Sequence, residues 1–191
     1  RTDGRLFGID AYTGVSLWSV ELKGQALAGP IVAADTVLVP VQRRNSSDLR
    51  AFDATTGQEL WKMPCDGWAQ SCSLLPLDRQ FIVNLAGGTV QSIHAKTGEV
   101  EWRTVLGPVC SDDIPLSLSV CLRGGALFVP ADTVYVLNPE NGQIIHCLGG
   151  DPPVPDLMNV HPDCSVFVAE ESGHIGLYSV ARSFTLVHGG K

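Results

Sequence analysis

The chain has 191 residues, 45% of them hydrophobic, which is enough for one well-cored domain, short for two, and too apolar for a disordered chain. Twenty acidic residues against thirteen basic ones give a net charge of -7, which disfavours broad electrostatic binding to nucleic acid or anionic lipid. No apolar run reaches the roughly 18 residues that cross a bilayer, so no transmembrane segment is predicted.

Five hairpins are predicted in chain order. In each of the first four, an alternating apolar strand leads into a turn with glycine and out into a second strand. These hairpins cover residues 6–18, 49–61, 90–102 and 134–146, and a fainter fifth copy covers residues 175–179. The turn glycines Gly14, Gly57, Gly98 and Gly142 stand 43, 41 and 44 residues apart. This period matches one four-stranded blade of a β-propeller.

Two further strands are predicted ahead of each hairpin except the first. They cover residues 28–33 and 36–41, 73–77 and 80–85, 116–121 and 126–129, and 157–160 and 165–169. The whole chain is therefore predicted to be one partial propeller of four-stranded antiparallel blades. Its repeat units are roughly 1–24, 25–64, 65–107, 108–150 and 151–191.

The hairpins carry a motif, Asp-x-x-Thr-Gly-x-x-x-Trp, which is complete at residues 10–18 and 53–61 and partly kept from Thr97 to Trp102. It resembles the tryptophan-docking motif of propeller repeats of the pyrroloquinoline-quinone (PQQ) type. The resemblance implies that each tryptophan packs against the neighbouring blade, and ligand stacking by these indoles is the alternative. The residues assigned to repeat packing are Asp10, Gly14, Trp18, Asp53, Gly57, Trp61, Gly98, Trp102, Asn138 and Gly142. In the turns, Asp10, Asp53 and Asn138 are expected to accept hydrogen bonds from backbone amides.

The later copies depart from the motif. His94 replaces the aspartate of the third, and Asn141 and His146 replace the threonine and tryptophan of the fourth. The fifth copy lacks both the turn glycine and the tryptophan. These changes predict weaker docking of the last two blades.

About four and a half blades are present in this count, because the first hairpin has no two leading strands before it. An open array would leave apolar strand faces and unpaired edges in water. We therefore expect the chain to be part of a larger ring, completed by upstream sequence, by a partner chain or by self-association. A compact five-bladed ring, with its first blade completed by a strand from elsewhere, is the alternative.

Six cysteines without a CxxC pair favour structural disulfides in an oxidising compartment over a zinc site. Sequential pairing would join Cys65 to Cys72, Cys110 to Cys121 and Cys147 to Cys164, although fifteen connectivities are possible. Buried free thiols in a cytosolic protein are the alternative. The first of these loops holds Trp68 outside the docking motif, so Trp68 is the candidate for a partner contact.

PQQ and calcium are considered as cofactors and disfavoured. The quinoprotein dehydrogenases of the resembled family carry a vicinal cysteine pair, and this sequence has none. Acidic pairs such as Asp112-Asp113 and Glu170-Glu171 are typical of solvated loops more than of calcium ligands. The predicted function is thus a non-catalytic propeller outside the cytoplasm that binds or scaffolds protein partners, similar to bacterial PQQ-repeat scaffold proteins. The alternative is a fragment of a PQQ-dependent dehydrogenase or a related sensor.

Overall fold

The computed structural model describes residues 4–44, 46–65, 73–85, 88–106, 120–131, 133–148, 157–160, 165–169 and 175–179. All regular structure within these ranges is β-strand, arranged as five antiparallel sheets that follow one another along the chain. The predicted fold class, an all-β propeller of four-stranded antiparallel blades, is confirmed. None of the described segments forms a helix long and apolar enough to span a membrane.

The five sheets are called blades I to V. Blade I consists of β1 (Arg5–Ile9) and β2 (Ser16–Glu21). Blade II consists of β3 (Gln25–Ala26), β4 (Ile31–Ala33), β5 (Thr36–Gln42), β6 (Ser47–Asp53) and β7 (Glu59–Pro64). Blade III consists of β8 (Ser73–Leu77), β9 (Gln80–Leu85), β10 (Thr89–His94) and β11 (Val100–Val105). Blade IV consists of β12 (Cys121–Arg123), β13 (Ala126–Pro130), β14 (Val134–Leu137) and β15 (Ile144–Leu148). Blade V consists of β16 (Leu157–Val160), β17 (Ser165–Ala169) and β18 (Ile175–Ser179).

Each strand of blades III and IV pairs with the next strand along the chain. The second strand of each motif hairpin is the last of its sheet, and we call these strands, β2, β7, β11 and β15, the fourth strands. The described part of blade I consists of one hairpin, β1 with β2. The described part of blade V has three strands.

Two predicted strands differ from the structure. The strand expected at residues 28–33 is observed only at Ile31–Ala33, as β4. A separate short strand, β3 at Gln25–Ala26, precedes it, and both pair with β5. Pro30 lies between the two strands, and proline has no amide hydrogen to donate to a ladder. The strand expected at residues 116–121 has its described part at Cys121–Arg123, with residues 116–119 outside the described ranges.

Four apolar clusters join the blades, one between each consecutive pair. Phe52 packs in the cluster between blades I and II, and Ile93 in the cluster between II and III. Leu137 lies between blades III and IV, and Val136 between IV and V. Burial of each such side chain contributes about 1.5–3 kcal/mol. The interior of this molecule therefore lies between sheets and is repeated along the chain.

Every motif hairpin contains the same β-bulge. The register shifts between Gly8 and Ile9 in blade I, and again at the corresponding place in blades II, III and IV. The second residue of each fourth strand has no partner in the register; these residues are Leu17, Leu60, Glu101 and Ile145. A bulge re-aims the neighbouring side chain, and here it sets the tryptophan directly opposite a residue with a small side chain.

Candidate functional site

The aspartates of the first two motifs organise their own turns. Asp10 Oδ1 accepts hydrogen bonds from the backbone amide of Thr13 at 2.7 Å, the Thr13 hydroxyl at 2.8 Å and the Tyr12 amide at 3.1 Å. Asp53 Oδ1 repeats this pattern with Thr56 and Thr55 at 2.8, 2.9 and 3.0 Å. The carboxylates are thus engaged with their own turns as acceptors, which is a folding role.

The hydrogen bonds lower the pKa of both carboxyl groups. For Asp10 the largest cause is the Thr13 amide, followed by the Thr13 hydroxyl. For Asp53 it is the Thr56 amide, followed by the Thr56 hydroxyl. In both, the donors favour the charged form of the carboxyl group.

This lowering predicts a pH dependence of folding. A carboxyl whose folded pKa is depressed stabilises the fold above its unfolded pKa, near 3.9, and the benefit is lost as the pH falls through the lower folded value. We expect Asp10→Asn and Asp53→Asn to make the free energy of unfolding less dependent on pH below about 4, because an amide oxygen accepts the same bonds without titrating. Urea denaturation at several pH values measures this. An unchanged pH dependence in the double variant would contradict it.

The third and fourth turns keep the geometry with different acceptors. In the third, the Thr97 amide donates to His94 Nδ1 at 3.3 Å. In the fourth, the Glu140 amide donates to Asn138 Oδ1 at 2.8 Å, and Asn141 Oδ1 accepts from the Gln143 amide at 2.9 Å. The substitutions noted in the sequence therefore preserve an acceptor at the same place in each turn.

Each motif tryptophan reaches the next blade. The indole Nε1 of Trp18 donates to the carbonyl oxygen of Ala54 at 2.9 Å, and that of Trp61 donates to Ala95 at 2.7 Å. Trp102 donates to the carbonyl of Pro139 at 3.0 Å. Because each acceptor directly follows the Asp, His or Asn of its turn, the three bonds are one interaction repeated.

The turn glycines lie beneath these indoles. A β-carbon at Gly57 would stand 2.6 Å from Trp18 Cε3, and one at Gly98 would stand 2.7 Å from Trp61 Cδ2. Real β-carbons do not approach other atoms so closely. Gly142 has the same relation to Trp102, and all three glycines have φ between +70° and +75°. Glycine is therefore required both by the turn and by the indole of the preceding blade.

A small residue faces each tryptophan across its own hairpin, and the sequence analysis missed it. Gly8 pairs with Trp18, Ala51 with Trp61, and Ser92 with Trp102. A β-carbon at Gly8 would overlap the Trp18 ring. The signal was present two positions before each Asp or His, where all three residues are small.

Blade IV shows what replaces the tryptophan. His146 occupies its position, is exposed, and pairs with the larger Val136. The small facing residue and the indole are therefore lost together.

A buried arginine side chain also connects blade II with the end of blade I. Arg50, on β6, pairs with Glu59, and its Nη1 donates to the carbonyl oxygen of Leu22 at 2.6 Å. Its guanidinium carbon lies 5.1 Å from the centroid of the Phe52 ring. The Arg50 side chain is 8% exposed and that of Glu59 is 35% exposed. This arginine is a structural cation within the blade interface.

Exposed apolar side chains collect on the fourth strands. Six of the ten exposed large hydrophobic residues in the described ranges lie there: Leu17, Leu60, Val100, Val105, Ile144 and Ile145. Each fourth strand is also the end of its sheet, with one ladder edge that no other described strand pairs with. Exposed strand edges with apolar side chains are sites for further strand pairing.

Several sequence predictions fall outside the described residues. Trp68 does so, as do Cys72, Cys110 and Cys164, one member of each predicted disulfide. The other members, Cys65, Cys121 and Cys147, lie in or next to β7, β12 and β15. The acidic pairs weighed for calcium are also outside. In the ranges that are described, no three His, Cys, Asp or Glu side chains come together as a metal site.

Comparison with known proteins matched this chain to a family model, to two curated proteins and to a solved structure. A family model described as outer membrane protein assembly factor BamB matches residues 2–147. The serine/threonine-protein kinase AfsK of Streptomyces griseus is 30% identical over 152 residues, covering 73% of this chain and 18% of the kinase. BamB of Bordetella pertussis (strain Tohama I) is 28% identical over 117 residues, covering 59% of this chain and 29% of that protein. The crystal structure of BamB from Moraxella catarrhalis superimposes with a TM-score of 0.75 at 19% identity.

This chain corresponds to only part of each matched protein. The chain spans less than a third of either curated relative. The superposition on the Moraxella structure covers 93% of this chain and 56% of that chain. At 19% identity the structural match speaks for the fold alone.

Proposed function

This chain belongs to the PQQ-repeat β-propeller family whose model is described as outer membrane protein assembly factor BamB, and from that premise we propose that it is a non-catalytic module that binds or scaffolds proteins. The observation that carries the proposal is the exposed apolar surface of the fourth strands. Leu60, Val105 and Ile145 are 41%, 71% and 39% exposed, on strands that each have one ladder edge with which no described strand pairs. An extended segment of a partner can add to such an edge through main-chain hydrogen bonds, with its alternate side chains against the apolar surface.

The motif residues support a non-catalytic role. The Asp10 and Asp53 carboxylates hold their turns, and the indoles of Trp18, Trp61 and Trp102 donate to backbone carbonyls of the next blade. A general base or a cofactor-stacking ring must be available to a substrate or cofactor. We therefore propose that the repeat motif packs blades and that the chain acts without PQQ or calcium.

We also place this activity outside the cytoplasm. Six cysteines, an even number, support a disulfide-forming environment, and the family model's description refers to the outer membrane. Thiol titration of the denatured chain is the measurement: few free thiols support this location, and six would contradict it.

The binding role is tested with a synthetic extended peptide of about ten residues that alternates apolar and polar side chains. We expect saturable binding with a dissociation constant in the roughly micromolar range. Val105→Asp should weaken it about tenfold, because a carboxylate would lose hydration on the apolar contact face. Val32→Asp is the matched control, since Val32 is 55% exposed on β4, away from the fourth strands. Equal loss in both variants, or no binding by the parent chain, would contradict the proposal.

A separate measurement tests the proposal that the chain is not a PQQ-dependent enzyme. After incubation with PQQ and calcium, the purified chain should show no quinone absorbance and no dye-linked alcohol oxidation. Detection of either would favour a dehydrogenase fragment instead.

A further inference from the structure

The third motif turn is held by a side chain that gains a proton in the range around neutral pH. The first residues of the four motif turns are Asp10, Asp53, His94 and Asn138. Hydrogen bonds lower the pKa of the two aspartates, and the amide of Asn138 does not titrate. Histidine, by contrast, ordinarily changes its charge between about pH 8 and pH 5. Of the four turns, the third is therefore the one whose acceptor a moderate fall in pH can remove.

The geometry of the third turn assigns the acceptor role to His94 Nδ1. The backbone amide of Thr97 directs its hydrogen at this nitrogen over 3.3 Å. A backbone amide can only donate, and in a neutral imidazole one ring nitrogen accepts while the other carries the hydrogen. The bond therefore requires neutral His94 with its hydrogen on Nε2.

Protonation of His94 gives the turn a second hydrogen-bond arrangement. A hydrogen on Nδ1 would face the hydrogen of the Thr97 amide, so that amide would lose its acceptor. The Thr97 hydroxyl lies 3.2 Å from Nδ1 and 3.1 Å from Glu99 Oε2, so it can accept from the imidazolium and donate to the carboxylate. The two arrangements differ in whether the Thr97 backbone amide is bonded.

Charged groups reach this turn from its own residues and from the elements packed against it. The Ala95 amide donates to the carbonyl oxygen of Arg79 in the β8–β9 turn at 2.8 Å, and the charge of Lys96 lowers the pKa of a carboxyl group on blade II. The charged residues of these segments are Lys96 and Glu99 of the turn, Asp78 and Arg79 of the β8–β9 turn, and Asp53 of blade II. Glu99 is joined to His94 through the Thr97 hydroxyl, and it is the carboxylate that faces the imidazolium.

The same turn carries the docked indole of blade II. Trp61 Nε1 donates to the carbonyl oxygen of Ala95, the residue after His94, at 2.7 Å. Gly98, the residue after Thr97, lies beneath the indole, and its amide donates to the His94 carbonyl oxygen at 2.9 Å. Release of the Thr97 amide therefore acts on the backbone against which the indole packs.

We propose that His94 makes the docking of blade II on blade III sensitive to pH. Near pH 8 the neutral imidazole holds the Thr97 amide, and the turn keeps the shape that fits the Trp61 indole. Toward pH 5 the imidazolium releases this amide, and the bond from Trp61 to Ala95 opens more often. The neutral form makes the bond, so the stabilisation is full at high pH and is lost as the pH falls. The inference is independent of the proposed function, because it concerns an interface between two blades and requires no partner.

The test is hydrogen exchange of the indole N–H groups, followed by NMR in the chain labelled with ¹⁵N-tryptophan, at about pH 7.5 and about pH 5.5. The Trp61 signal is identified by its loss in Trp61→Phe. Trp18 and Trp102 are internal controls, because they dock on the turns of Asp53 and Asn138. The protection of Trp61 relative to Trp18 should fall roughly 2- to 10-fold at the lower pH, the range for one net hydrogen bond. The protection of Trp102 relative to Trp18 should stay the same.

The matched variant is His94→Asp, which gives the third turn the acceptor of the first two. In this variant the protection of Trp61 relative to Trp18 should be the same at both pH values. A constant ratio in the parent chain, an equal fall in His94→Asp, or a loss of protection shared by all three indoles would overturn the proposal.

Discussion

Replacing Trp102 with alanine is expected to lower the free energy of unfolding by about 3–5 kcal/mol, the range for loss of a large buried aromatic side chain. Trp102 is 8% exposed and packs in the cluster between blades III and IV with Ile82, Leu127 and Leu137. Its indole also donates the hydrogen bond to Pro139. The substitution removes apolar area from both blades and leaves a cavity over Gly142.

A conservative variant separates the stability lost through packing from the stability lost with the hydrogen bond. Trp102→Phe keeps an aromatic ring in the cluster but loses the indole N–H, so it should cost less, with about 0.5–1.5 kcal/mol assigned to the hydrogen bond. Denaturant unfolding followed by circular dichroism measures both variants. A cost below about 1 kcal/mol for Trp102→Ala would mean that the indole does not hold the blades together.

Replacing Glu59 with leucine is expected to destabilise the chain by about 2–3 kcal/mol, because it leaves the Arg50 guanidinium buried without its carboxylate. This is below the range for a fully buried pair, since Glu59 is 35% exposed. Arg50 would keep its bond to the Leu22 carbonyl and its contact with Phe52. The expected loss is therefore partial, and it falls on the interface between blades I and II.

The matched variant is the double substitution Arg50→Met with Glu59→Leu. Removing both charges should recover part of the stability lost in Glu59→Leu, because no buried charge is then left unpaired. The same denaturant titration gives the coupling between the two positions. Strict additivity would show that the ion pair is energetically irrelevant.

The sequence predicted strands best where an alternating run stood between two turn signals. Residues 73–77 and 80–85 are strands β8 and β9 with those bounds, as are residues 157–160 and 165–169 in blade V. The motif glycines located the turns, because positive φ restricts those positions to glycine. Local patterns of this kind depend on nearest neighbours and can be read without the rest of the molecule.

Features set by the neighbouring blade were harder to predict. Arg50 stands in a strand where alternation suggests an outward polar face, yet blade I covers that face and buries it. All of β5 from Thr36 to Val41 is buried for the same reason, since both of its faces meet another sheet. The break at Pro30 was missed although proline in a strand is a recognised signal against continuous pairing.

Only some of the residues around each docked tryptophan were predicted from the sequence. The tryptophans and turn glycines came from the motif, whereas the facing residues Gly8, Ala51 and Ser92 did not. Their role depends on the bulge that sets each tryptophan opposite them, and a bulge changes register without a local sequence mark of its own. The uncovered state of Gly14 required the structure, because the four turn glycines share nearly the same φ and the sequence does not show what lies over each of them.

The central claim is that each indole docks on the turn glycine of the following blade, and Gly57→Ala compared with Gly14→Ala in the 191-residue chain tests it most directly. The two glycines have φ of +72° and +71°, so both variants carry the same backbone penalty of roughly 1–2 kcal/mol. Only Gly57 lies under a tryptophan, with Trp18 Cε3 at 2.6 Å from the added methyl group. The account predicts that Gly57→Ala costs at least about 1 kcal/mol more than Gly14→Ala, by analogy with overpacked cores. Equal losses of unfolding free energy in the two variants would contradict it.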